Sequence, residues 1–244
     1  DSYQNFLNEQ SHVYITSGAE AIRLLDLGFE NTESETKILG VLFNTRTGSF
    51  ANESLRQALA YCIQREATAI NAVGYRKAKG IIPNSINIGE EYYRKLADKD
   101  CFLPYDNLSA KNALEKALES VNKNSWSGLT LYVPDDDVIY EYISDISQMW
   151  QSELNFYCNI KRLSDTDHDR VLQNGDFDFI VTDISGNFIS RYSYLSSFSS
   201  SGGGNYSGFS DPSFNELLSK AENSASEKES AELYYLAERK IIDS

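Results

Sequence analysis

No stretch of this sequence approaches the roughly 20 consecutive apolar residues that carry a helix across a bilayer. The basic-then-apolar pattern of a signal peptide is also missing, which leaves the compartment open, since a chain can begin mid-protein. Basic residues are few: 22 Lys and Arg against 36 Asp and Glu, a net charge of −14 and a pI near 4.6. They form no cluster. An acidic chain without a segregated basic patch repels a phosphate backbone, so nucleic-acid binding is not expected.

Cysteine is scarce too. Cys62, Cys101 and Cys158 lie far apart and make no CxxC pair. Cys62, on an apolar helical face, and Cys158, beside a strand, read as buried thiols. One disulfide is compatible with the count, but three cysteines cannot all pair within one chain. The two histidines, His12 and His168, sit in polar contexts and read as surface residues. There is no Gly-x-Ser-x-Gly elbow and no nucleophile with a partner base. Gly202 to Gly204 lacks the Gly-Lys-Ser/Thr of a phosphate cradle. Asp165-x-Asp167-x-Asp169 opens like a calcium loop, yet Arg170 stands at the position that needs Gly, and Asp176 at the one that needs Glu. The sequence therefore offers no catalytic set, no metal site and no cofactor motif.

What is present is the composition of a folded protein: 244 residues, 41% hydrophobic, with 16 Tyr and 12 Phe. The stretch from Lys37 to Ile70 organises it. Ile38, Leu39, Val41, Leu42 and Phe43 form a short apolar run, the pattern of a strand buried on both faces. After a turn containing Gly48, Asn52 is placed to cap a helix whose Leu55, Ala58, Leu59, Cys62, Ile63 and Ile70 share one face. Upstream, Val13-Tyr14-Ile15 suggests a short strand and Ala19 to Leu27 a helix closed by Gly28.

Downstream, Tyr92 to Asp100 reads as a charged, exposed segment, and Ser109 as the cap of a helix carrying Ala110, Ala113, Leu114, Ala117 and Leu118. The middle is the clearest pattern. Strands over 129–133, 157–163 and 177–182 alternate with a helix marked by Ile139, Ile143, Ile146, Trp150 and Leu154, and with a short helix over 166–173 stopped by Gly175. A β-α-β-α-β order builds a parallel sheet with right-handed crossovers. Asp183 to Asp211 is a long loop rich in Ser, Gly and aromatics, and loops of that length are usually functional or mobile. Asp211-Pro212 starts a helix, and Ser226 with Glu229 forms a capping box for the last one.

The wording of these segments resembles the family 5 extracellular solute-binding proteins of ABC transporters, which include oligopeptide- and dipeptide-binding proteins. The resemblance is carried, in order, by several separate segments. They are Phe43-Asn44-Thr45 and Leu55-Arg56-Gln57-Ala58-Leu59-Ala60-Tyr61; Val73-Gly74-Tyr75 and Gly80-Ile81-Ile82-Pro83; Tyr105-Asp106 with Ala110-Lys111; Asn174-Gly175-Asp176-Phe177-Asp178; Asn205-Tyr206-Ser207-Gly208-Phe209; and Leu233-Tyr234 to Ile241. It departs at Asn215, where Asp is common, and after the last strand, where the flanking Trp and Pro are missing.

The resemblance implies a periplasmic-binding-protein-like (type II) α/β lobe with a mixed, largely parallel sheet flanked by helices, spanning 1–244 as one of two lobes. It implies a substrate-binding role, not an enzymatic one. The ligand would be a peptide or other small solute, captured between two lobes for uptake through ABC permease subunits. The place would be the cell surface, through a lipid anchor outside this fragment, or the periplasm. In peptide-binding members an Asp just after the last strand pairs with the ligand's ammonium, and Asp183 matches that position. Tyr192, Tyr194, Phe198, Asn205 and Tyr206 would line the cleft wall. The alternatives are a sensor or regulatory use of the same fold, or a binder of sugars or metal chelates.

Overall fold

A computed structural model of the chain describes residues 2–16, 18–32, 35, 37–65, 75–97, 99–185, 190–200 and 203–244. It contains two compact units, one of Asp1–Ser34 with Ile70–Lys77, the other of Glu35–Ala69 with Ala78–Ser244. The expected Val73-Gly74 connection and the tip of the glycine run at Gly202 lie outside the described residues.

The smaller unit contains α1 (Ser2–Leu7) and α2 (Gly18–Asp26). Gly28 follows α2 with φ 84°, a left-handed turn that glycine adopts without a Cβ clash. Phe6 packs on Tyr14 and Phe29 with ring centroids 5.7 and 4.9 Å away. The Tyr14 and Thr16 hydroxyls both donate to the Glu20 carboxylate. Val13-Tyr14-Ile15 is not a strand. Among the described residues no strand pairs with it; the Ser11 hydroxyl donates to the Val13 carbonyl, and Val13 and Ile15 stay exposed while Tyr14 turns inward.

The larger unit is built on a four-stranded sheet. Its strands are β1 (Ile38–Phe43), β4 (Leu129–Pro134), β5 (Cys158–Leu163) and β6 (Phe179–Ile184), in the order β1-β6-β4-β5. The two remaining strands, β2 (Asn87–Ile88) and β3 (Glu91–Tyr92), form a separate hairpin. β4 runs parallel to both β5 and β6, as the β-α-β-α-β pattern predicts. β1 runs antiparallel to β6 at the sheet edge, with Leu39 opposite Asp183 and Phe43 opposite Phe179. The apolar run of β1 suggested burial on both faces, but as an edge strand it is mostly half-buried.

Side-chain alternation sends the even and odd residues of β1 and β6 to opposite faces. On the odd face lie α3 (Glu53–Tyr61), α5 (Asn107–Ser120) and α6 (Asp137–Leu154). Their core is aromatic: Phe179 contacts Phe43, Phe50 and Trp150, and Trp150 meets Phe156 edge-on. Trp150 is fully buried, and its indole N–H donates to the Leu59 carbonyl at 3.0 Å, so its one polar atom is satisfied. Leu42 and Ile184 face the other core, which is formed with α4 (Tyr93–Leu96), α8 (Arg191–Ser196), α9 (Pro212–Glu222) and α10 (Glu227–Asp243).

Local chemistry sets the helix ends. Asn52, Asp136, Ser164, Asp211 and Ser226 each accept from a first-turn amide, satisfying an otherwise orphaned donor. The short helix α7 (Asp165–Asn174) ends on Gly175 at φ 72°. Ser109 is not the cap it was expected to be. Helix α5 begins two residues earlier, and Asp106 accepts both the amide and the hydroxyl of Ser109.

Two further expectations are corrected by long-range packing. Tyr93 and Arg94 are buried rather than exposed, because Glu238 of α10 reaches them through the second core. His168 is buried too, its Nε2 lying 2.8 Å from the Val181 carbonyl of β6. All three cysteines are free thiols.

Candidate functional site

Asp183 is the penultimate residue of β6, not the first residue after it. It therefore belongs to the carboxyl edge of the parallel strands, where open α/β sheets usually receive ligands. The antiparallel register places Ile38 opposite Ile184, so Lys37, just before β1, shares the face of Leu39 and Asp183. Its Nζ lies 2.9 Å from Asp183 Oδ2. Both side chains are open to solvent, at 61% for Lys37 and 46% for Asp183. Asp183 thus already holds a primary ammonium group, in water-accessible surroundings.

The other expected residues do not gather around that carboxylate as one set. Tyr192, on α8, is exposed. Tyr194 and Phe198 point the other way, into the core with Phe209, Phe214 and Tyr234. Burial pushes the Tyr194 phenol up from its ordinary value.

Asn205 is a loop clamp. Its Nδ2 donates to the carbonyls of Phe198, Ser199 and Phe209, while its Oδ1 accepts from the Ser207 hydroxyl and the Gly208 amide. Tyr206 beside it is half-buried. The segment is fastened to the far end of β1, where Thr45 donates twice to the Ser207 carbonyl and Arg46 donates to the Asn205 carbonyl at 2.6 Å. Sequence reasoning missed Thr45 and Arg46 in this role. The signal available was Gly208, which turns at a φ of 75° and whose missing Cβ leaves the space that the Arg46 stem fills.

The carboxyl edge carries a second charged group. Arg162, at the end of β5, pairs with Asp135 at 2.7 Å and Asp137 at 2.8 Å, and its guanidinium lies 5.3 Å from the Tyr140 ring centre. The hydrogen bond that Arg162 donates to Asp137, with the charges of both carboxylates, raises the guanidinium pKa.

This edge can recognise a cation through a carboxylate. Among the described residues no group of three or more His, Cys, Asp or Glu is arranged to hold a metal. Nor, among them, is any helix long and apolar enough to cross a membrane. A separate open groove of about 690 Å³ between α9 and α10, lined by Leu217, Leu236 and Lys240, holds none of the expected site residues.

Residues 2–206 match the family model described as bacterial extracellular solute-binding proteins, family 5 Middle. The chain is 24% identical over 207 residues to the oligopeptide-binding protein OppA of Bacillus subtilis (strain 168), covering 82% of this chain and 37% of that protein. Its fold is similar to the Escherichia coli murein tripeptide binding protein MppA, with a TM-score of 0.74 at 20% identity, over 98% of this chain and 47% of that one. It is likewise similar to Listeria monocytogenes OppA bound to peptide, with a TM-score of 0.73 at 18% identity, over 98% and 47%. The chain thus spans less than half the length of these proteins. Their fold is the type II periplasmic-binding-protein fold, the mixed, mostly parallel sheet flanked by helices described above. By the extent of the family match, the chain belongs to the family 5 bacterial extracellular solute-binding proteins, a family of substrate binders and not of enzymes.

Proposed function

We propose that this chain is one lobe of a two-lobed peptide-binding protein that captures oligopeptides or dipeptides outside the cell and hands them to an ABC permease. In this reading the protein works at the cell surface on a lipid anchor, or in the periplasm. The observation that carries the reading is Asp183: an exposed carboxylate at the ligand-receiving edge of the sheet, with a primary ammonium at 2.9 Å. A peptide's amino terminus is the same chemical group. A charge-assisted bond to it fixes ligand orientation as well as adding affinity. Tyr192, exposed on the helix that follows, supplies an apolar wall of the kind such sites use. The buried Tyr194 and Phe198 anchor that helix from the core beneath it, and Asn205 fixes the loop that follows. The names of the relatives, which bind oligopeptides and a murein tripeptide, point to the same ligand class.

The test is calorimetric titration of a mixed di- to pentapeptide pool into the complete protein, wild type and Asp183→Ala. A hydrogen bond to a charged group contributes about 1.5–3 kcal/mol, so the variant is expected to bind roughly 10–100-fold more weakly. Equal binding by both proteins removes Asp183 from the site. No binding by a folded wild type rejects the peptide reading in favour of a sensor role or a non-peptide solute.

A further inference from the structure

The geometry points to Lys37 as a built-in competitor for the ligand: its side-chain ammonium occupies Asp183, and an incoming amino terminus displaces it. This rests on the Asp183 reading above and adds a device that sets the affinity and selectivity of that site.

Three observations carry it. The first is chemical identity, since Lys37 Nζ and a peptide α-ammonium are the same kind of donor and Oδ2 of Asp183 is 2.9 Å from the former. The second is placement. Lys37 leads directly into β1, whose ladder with β6 runs from Ile38 opposite Ile184 to Phe43 opposite Phe179, so the competitor is delivered by the same sheet that presents the carboxylate. The third is exposure. With side chains 61% and 46% open, the pair is not sealed and can exchange partners.

An exposed ion pair of this kind is favoured over its separated form by a factor of only about two to five. That is strong enough to tax a ligand and weak enough to yield to one. The lysine also repels any second ammonium that approaches, so both effects act in the same direction. A ligand with a blocked amine cannot use Asp183 and is untouched by the competition.

The experiment titrates a tri- to pentapeptide pool, free or N-acetylated, into the complete protein as wild type, Lys37→Met, Lys37→Arg and Asp183→Asn, each checked for native circular dichroism. Lys37→Met is expected to bind the free-amine pool about two- to fivefold more tightly, with no change for the acetylated pool. The gain should shrink as salt rises from about 20 mM to about 500 mM. Lys37→Arg, which keeps a cation on Asp183, should not show the gain. Unchanged or weaker binding by Lys37→Met, with Asp183→Asn impaired, overturns the competitor while leaving the anchor standing. Asp183→Asn binding like wild type, or no protein binding the pool at all, overturns the anchor and the competitor together.

Discussion

Removing the Glu238 carboxylate is the most demanding test of how the larger unit is held together. Glu238 is completely buried in α10, and Arg94 in α4 is 5% exposed. Every polar atom of this pair has a partner. One carboxylate oxygen accepts from the Ile82 amide at 2.8 Å, the other from the Tyr93 hydroxyl at 2.6 Å and from Arg94 Nη1 at 2.9 Å. Arg94 Nη2 donates both to Glu238 and to the Ile82 carbonyl. Burial by itself lowers the arginine pKa, but the carboxylate more than offsets this and the net shift is upward. Gly80 passes so close that a Cβ there would collide with both side chains.

Glu238→Ala leaves a buried guanidinium without a counter-ion and takes the acceptor from the Ile82 amide, the Tyr93 hydroxyl and the Cys101 thiol, and breaking a buried pair from one side costs about 3–5 kcal/mol. In a unit of this size each kcal/mol lowers Tm by about 2–4 °C, so the expected fall is roughly 6–20 °C. The double variant Arg94→Met/Glu238→Leu removes both charges. It still strands the Ile82 and Tyr93 groups, at about 1–3 kcal/mol, and should be more stable than Glu238→Ala alone. Urea unfolding read by tryptophan fluorescence suits the measurement, since Trp126 and Trp150 are 5% and 0% exposed. A loss below about 1 kcal/mol in Glu238→Ala, or a double variant as unstable as the two singles added, would refute the assignment of a tightly coupled pair.

Asn205→Ala deletes three donated and two accepted hydrogen bonds at once, and should cost about 2–3 kcal/mol. Amide exchange in residues 203–209 should accelerate ahead of the rest of the unit. Exchange that stays uniform would show that Arg46 and Thr45 hold the loop unaided. The thiols give an independent check on the cores: burial pushes Cys62 up to about 11 and Cys101 up to about 12. Neither forms appreciable thiolate at pH 8, so a thiol-reactive dye should find at most the half-buried Cys158 in native protein and all three cysteines after denaturation. Three rapid reactions in the native protein would contradict the burial of Cys62 and Cys101.

The elements and their order were legible in the sequence because helix caps, glycine stops and apolar periodicity are local. Asp136 bonding the Ile139 amide, or Gly175 turning left-handed after α7, depends on residues within one helical turn. The errors fall where a partner distant in sequence decides the outcome. Tyr92 to Asp100 looks solvated by composition, and only Glu238, far along the chain, makes a buried arginine tolerable there. His168 is drawn inward by a carbonyl of β6 in the same way.

The candidate site shows the same limit more sharply. Alternation along a strand says that residues two apart share a face, so Asp183 and Val181 can be assigned together from the sequence. Which residues stand across from them depends on the neighbouring strand and its direction. With β1 antiparallel at Leu39–Asp183, Lys37 falls within reach of the carboxylate. A parallel β1 would carry residue 37 toward the opposite edge, away from Asp183. The pairing that makes Asp183 a ready ammonium site, and Lys37 its competitor, follows from that single choice of strand direction.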